Sequence, residues 1–219
     1  MKTLAQLTQV DDPAWPLVQK WIGAGMRTQV LPRDAHASDA TLLHLQVTTH
    51  SVMGALAHGC AGLVVDRWVR VLGGGSPTAL ASLKTWNGLP KDSLPMTAGM
   101  LRVGFDAAGG VYALDGGAFA AADGQVHYVA PDALAWEPLG LGHSDWLHWL
   151  LTEPGRVAEF YESQRWPGWE AEAGELGFDQ AITFYPPLWS REGQDPSKAT
   201  RAPVLITELL KLQGAAAPA

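Results

Sequence analysis

Cysteine is nearly absent: Cys60 is the single one in 219 residues. That excludes an internal disulfide and a thiolate-rich metal cage. Set between Gly59 and Ala61-Gly62, Cys60 reads as a small buried hydrophobe rather than a nucleophile. Long apolar runs are missing too, and none approaches the roughly 20 residues a membrane helix needs. Positive charge is scarce, with 15 Lys and Arg against 22 Asp and Glu and a net charge of −7. That balance excludes non-specific binding to nucleic acid or anionic membranes, both of which need concentrated Lys and Arg. The stretch from Leu4, LAQLTQVDD, is too short and polar for the core of a signal peptide. The sequence therefore predicts a soluble, cytoplasmic protein.

Catalytic and cofactor motifs are equally sparse. Val71-Leu72-Gly73-Gly74-Gly75-Ser76-Pro77 has the glycines of a phosphate cradle, but no Lys follows, and G-x-G-x-x-G is absent. The loop reads as a glycine turn between elements. No nucleophile elbow G-x-S-x-G occurs. His143, Ser144 and Asp145 are triad residue types, but neighbours in sequence cannot converge as a triad does. Of the histidines, His143 and His148 are five apart, which misses the i, i+4 spacing of a helical zinc pair. His127 is expected to face solvent. Asp106, Asp115 and Asp123 stand beside glycines, where turn formation accounts for them. The expectation is no metal, no cofactor and no enzyme activity.

What the chain does hold is a sheet. In Leu101-Arg102-Val103-Gly104-Phe105-Asp106 the apolar residues fall at every second position, the period of a strand with one buried face. Val111–Asp115 returns after glycines. Asp123-Gly124 marks a hairpin between 118–122 and 125–129, and Trp136 continues the pattern. Gly62–Gly75 reads as two short strands bent at Asp66-Arg67, because Arg67 would otherwise sit on the apolar face. Short connections make such neighbours antiparallel. Next comes a helix capped by Ser144, with Trp146, Leu147, Trp149, Leu150 and Leu151 on its apolar side, and another restarts at Pro154. The expected fold class is α+β: an antiparallel sheet of about five to six strands, its core strands within 62–138, with helices packed on one face as two layers.

The remaining elements follow in order. A short helix spans Thr3–Gln9, and another starts at Asp12-Pro13 with Trp15, Val18, Trp21 and Ile22 as its stripe. Gln29–Leu31 is a short strand. Residues 33–40 read as a polar loop and Leu42–Val47 as strand or buried segment. Thr49 or Ser51 caps a helix ending near Gly59. Residues 78–88 read as a helix and 89–98 as a connector. Ala181–Tyr185 is a strand, 190–203 a polar loop and Val204–Leu212 a last helix. No repeat or linker appears, so 1–213 is expected as one domain, with 214–219 a disordered tail.

Several segments together carry a resemblance. They are Gly62–Val65, Trp68–Gly73, Trp86-Asn87, Gly110–Gly117, Tyr128–Asp132, Trp136 and Ser144–Leu147. Across roughly 10–190 this resembles a bacterial family known only as a domain of unknown function. The order of elements over 60–151 is also similar to the SUKH superfamily, which includes Smi1/Knr-type proteins, Syd and immunity proteins that neutralise toxins. That resemblance implies an α+β domain that binds another protein and carries no catalytic constellation.

Tryptophan is the excess, with ten residues. Trp136, Trp146 and Trp149 fit core positions. Trp166 and Trp169 instead flank Pro167-Gly168 among Glu159, Glu162, Glu170, Glu172 and Glu175. Trp is enriched at interface hot spots, and acidic charge steers a basic partner. The candidate interaction surface is thus Trp166, Trp169, Glu170 and Glu172, in a protein-binding and immunity-like domain. The competing reading covers the core edge with both rings. The competing function is an enzyme or binder using Trp and carboxylates on a carbohydrate or other small polar ligand.

Overall fold

The computed structural model describes residues 1–87, 99–119, 124–133 and 135–212. The expected strand over 118–122 falls largely outside them, as do the 89–98 connector and the 214–219 tail. The fold is α+β. Seven strands form one antiparallel meander in chain order: β1 (Thr28–Leu31), β2 (Gly62–Val65), β3 (Val69–Leu72), β4 (Met100–Asp106), β5 (Val111–Asp115), β6 (Val126–Val129) and β7 (Trp136–Pro138). Among the described residues six of these strands, β2–β7, lie within the expected 62–138 core, and β1 adds a seventh ahead of it. The β2–β3 turn falls where the sequence bends: Asp66 and Arg67 both take positive φ, at 50° and 59°. They form the centre of a turn closed by the Trp68 N–H on the Val65 carbonyl at 2.9 Å, within a three-residue connection between the paired Val65 and Val69.

Register sorts the side chains. Leu63, Val71, Gly104, Tyr112 and Tyr128 align across β2 to β6 and share one face. Helices cover it: α5 (His143–Thr152) and α6 (Pro154–Phe160) follow the sheet, with α2 (Trp15–Ile22) and α4 (Val52–Gly59) beside α5. Trp146 of α5 lies 5.1 Å from the Tyr112 ring, and Gly104 leaves room for its indole. Leu147, Leu150 and Leu151 are fully buried, each contributing about 1.5–3 kcal/mol. The opposite face carries Phe105, stacked on Trp86 at 5.0 Å and meeting Phe178 at 6.2 Å. The 79–87 segment and Phe178 pack there, so side chains pack on both faces of the sheet rather than one. A second hairpin, β8 (Gln180–Tyr185) with β9 (Thr200–Leu205), follows Phe178, and its Ile182 N–H donates to the Ala107 carbonyl in the β4–β5 turn at 2.7 Å.

Several expectations change, each for a local reason. Within the stretch expected as a polar loop and then a strand or buried segment lies a helix, α3 (Ala35–Leu45), capped by Asp34. Its buried face carries Ser38 and Thr41, and the Thr41 hydroxyl donates to Gly74 O at 2.9 Å. Polar residues on the inner face erased the apolar period. Residues 78–87 form turns instead of a helix. The Asp179 carboxylate accepts the Leu80 and Ala81 N–H groups, so a distant side chain takes backbone donors a helix would use. Helix α2 starts at Trp15, because Asp12 sits at φ 52°. Residues 200–205, expected as loop and helix start, form β9 ahead of α8 (Ile206–Leu212). His127 is buried and stacked on Phe119 at 4.0 Å, so it does not face solvent. The N-terminal α1 (Leu4–Thr8) follows its expected span. Cys60 is buried, and burial pushes its thiol up to about 12.

Helix α5 is capped by Gly142 rather than Ser144, which takes His143 into its first turn. His143 is buried, its Nε2 has no partner among the described residues, and burial lowers its pKa to about 4. The fold favours neutral imidazole, so the unfolded chain binds more protons between about pH 4 and 6.5. Stability is whole above pH 6.5 and falls as pH drops towards 4, by about 3 kcal/mol from this group. His143→Phe should flatten that slope in urea melts run at several pH values; an unchanged slope would contradict it.

Candidate functional site

The β2–β3 turn organises one end of the molecule. Closing it through Asp66 and Arg67 sends Trp68 into the interior, where three aromatic rings meet it: Trp169 at 5.1 Å, Tyr161 at 5.7 Å and Trp166 at 5.8 Å. Arg165 enters this cage. Its guanidinium carbon lies 3.9 Å from the Trp169 ring centre, 5.2 Å from Trp68 and 5.3 Å from Tyr161. An ion pair to Asp66 at 3.1 Å completes the contacts. Burial lowers the Arg165 pKa and Asp66 opposes that. A desolvated cation over indole contributes about 2 kcal/mol, so the cage anchors the segment leading into α7 (Trp169–Glu175).

The four sequence-predicted surface residues separate into two pairs. Trp166 is buried and its indole N–H donates to Glu172 at 2.8 Å. Glu172 in turn pairs with Arg201 at 3.0 Å, and the Arg201 guanidinium lies over Trp166 at 4.9 Å. Arg201 hydrogen bonds, with the Trp166 bond adding, hold the Glu172 carboxyl below its usual range against a smaller desolvation effect. Trp166 and Glu172 thus clamp α7 to β9. Trp169 is half-buried against the cage and Glu170 is exposed, so these two lie on the outer side.

Beside them runs an open groove of about 560 Å³ between β1, β2 and α7, lined by Arg27, Thr28, Gln29, Arg67 and Glu175 among others. Arg67 donates to the Glu170 carbonyl at 3.0 Å. Neither Arg27 nor Arg67 forms a salt bridge among the described residues. A second groove, about 440 Å³, lies between β7 and α6, with Trp149, Phe160, Glu137, Glu159 and Arg156 in its walls.

Beneath the cage lies a polar network that sequence reading assigned to a turn. Asp106 is fully buried and accepts from Ala108 N, Gly110 N and the Tyr128 hydroxyl at 2.9, 3.0 and 2.6 Å. Tyr128 also bonds Gln164, and the Tyr112 and Tyr161 hydroxyls bond each other. Arg70, likewise buried, donates to the carbonyls of Arg67, Trp68 and Ala173. Burial pushes the Asp106 carboxyl up, while its hydrogen bonds and Arg70 oppose the rise. A perturbed carboxyl ringed by tyrosines resembles catalytic equipment, but every member is sealed from solvent. By contrast Asp115 is a turn residue, accepting from Gly117, Ala118 and Phe119 N–H groups. Sequence reading missed Arg165, Arg70 and Arg201. The odd Arg67 at the bend was the single signal pointing to that end of the sheet.

Fold and site together define an α+β chain whose open polar groove lies beside a tryptophan-bearing helix. The chain belongs to the family described as "Protein of unknown function DUF2625", whose model matches residues 4–209. It is 37% identical over 217 residues to the "Putative uncharacterized protein YbfG" of Escherichia coli K12, covering 97% of this chain and 96% of that one. An "Uncharacterized protein" of Haemophilus influenzae is 31% identical over 191 residues, covering 86% and 83%. No solved structure matches. The SUKH resemblance has no support among the matched proteins. No helix among the described residues is long and apolar enough to cross a membrane, and no group of three or more metal-ligating side chains occurs there.

Proposed function

We propose that this chain is a non-enzymatic, cytoplasmic protein-binding domain whose contact surface is the outer side of α7 and the adjoining β1–β2 edge. One observation carries the reading: Trp169 is half-buried, held by Arg165, and sits beside an open groove bearing two arginines that have no ion-pair partner among the described residues. A rigid aromatic with part of its surface open is what a hot spot uses. The buried Asp106 network supports the non-enzymatic side of the reading, since no substrate reaches it in this fold. An immunity-type role rests on the SUKH resemblance alone and is not carried further. Affinity purification from the native cell should recover a stoichiometric protein partner. Trp169→Ala should weaken that complex by about 2 kcal/mol, roughly thirtyfold in Kd. Repeated failure to recover a partner at low salt would contradict the reading.

The second groove favours the other reading, a binder of carbohydrate or another small polar ligand. It joins an indole, a phenyl ring and two carboxylates, the parts such sites use. The two readings separate by place: a small ligand would perturb Trp149 and Glu159, a protein partner Trp169 and Glu170.

A further inference from the structure

The two edges of the seven-stranded sheet are unlike. β7 is three residues long and carries Glu137 and Pro138, a charge and a proline that blunt an edge against further pairing. β1, Thr28-Gln29-Val30-Leu31, carries neither. The Arg27 and Leu31 carbonyls accept from Asp66 N and Ala61 N on the β2 side. Antiparallel alternation then turns the N–H and C=O groups of Thr28 and Val30 outward. Among the described residues none of those four backbone groups meets a partner. Val30 is 40% exposed, so its side chain leaves the edge open.

Charge says what fits there. The groove between β1, β2 and α7 lies over the sheet face beside this edge, where Gln29 pairs with Val64, and carries Arg27 and Arg67 against one carboxylate, Glu175. Glu172, the acidic neighbour on α7, is engaged by Arg201. Arg33, beyond the other end of β1, is already paired with Asp39 at 2.6 Å, and β1 itself holds no carboxylate, so a second copy of the strand brings none to Arg27. A strand bearing carboxylates meets Arg27 and Arg67 favourably.

We propose that β1 accepts an extended, acidic strand from a partner protein, adding an eighth strand to the sheet while its carboxylates engage Arg27 and Arg67. This rests on the protein-binding reading above and names the partner's binding segment. Main-chain hydrogen bonds supply the affinity in such strand addition, and side-chain contacts the selectivity.

The test uses the full, isotope-labelled chain and a synthetic peptide of about eight residues, a normal strand length, alternating threonine and glutamate. A lysine-for-glutamate counterpart is the control. The acidic peptide should shift the Thr28 and Val30 amide resonances and protect both from hydrogen exchange, and the lysine peptide should not. Arg67→Glu should weaken acidic-peptide binding about tenfold. Val30→Pro should abolish it. That substitution removes an outward N–H and leaves the β1–β2 ladder bonded, and thermal melts of both variants check that the fold persists. Equal response to both peptides, no shift at Thr28 and Val30, or shifts that survive in Val30→Pro would each overturn the proposal. Concentration-dependent dimerisation through the same amides would replace the acidic strand by a second copy and also overturn it. If a native partner binds Val30→Pro as tightly as wild type yet loses Trp169→Ala, strand addition fails while the protein-binding reading stands.

Discussion

Asp106→Ala is expected to destabilise the fold by about 3–5 kcal/mol, read as a lower urea midpoint at constant slope. The substitution takes the acceptor from the Tyr128 hydroxyl and from the Ala108 and Gly110 amides, all buried. It also removes the carboxylate whose charge favours the buried Arg70 cation. Each buried group left unsatisfied costs about 1–3 kcal/mol. Asp106→Asn keeps an acceptor for the Ala108 and Gly110 amides but puts an NH2 donor where an oxygen accepts from Tyr128, so its cost should be smaller than that of Ala but not zero. The difference between the two variants reads the two backbone hydrogen bonds. A change below about 1 kcal/mol in Asp106→Ala would contradict the network as the element that ties the β4–β5 turn to Gln164.

Trp166→Ala is the second large effect, also expected at about 3–5 kcal/mol, the usual range for truncating a buried aromatic. Trp166 packs on Trp68 and on Phe184 at 5.4 Å, and its N–H holds Glu172. The variant empties that space and releases the α7–β9 clamp. Trp166→Phe should cost much less than full truncation, since a ring remains for Phe184 and for the Arg201 guanidinium. Equal losses for the two variants would place the effect in the Glu172 bond rather than in packing.

The meander was legible because its strands alternate cleanly and glycines mark its turns, as in Leu101–Asp115. Helix α5 was legible from Trp146, Leu147 and Leu150. The missed elements share one cause: polar groups carry their structure. Ser38 and Thr41 bury on α3, and Asp179 holds the Leu80 and Ala81 amides from about a hundred residues away. Local periodicity contains no trace of either. The candidate site was half legible for the same reason. Tryptophan excess marked Trp166 and Trp169, but which ring is core depends on Arg165 with Asp66 and on Arg201 with Glu172. Those pairs are 99 and 29 residues apart, and only the folded chain brings them together. Asp106 reads as a turn residue because it ends a strand with Gly109 and Gly110 shortly after it, whereas the groups that enclose it, Tyr128 and Gln164, come from other elements.

On the protein-binding reading proposed above, Trp166 holds the fold and Trp169 meets a partner. Denaturant melts of Trp169→Ala alongside Trp166→Ala test it most directly. Trp169 is half-buried and gives up one cation–π contact and one ring contact, so its truncation should cost about 2 kcal/mol, less than the Trp166 loss, while partner capture falls sharply. A midpoint drop for Trp169→Ala as large as that of Trp166→Ala, with the complex unchanged per folded molecule, would make Trp169 a core residue and contradict the account.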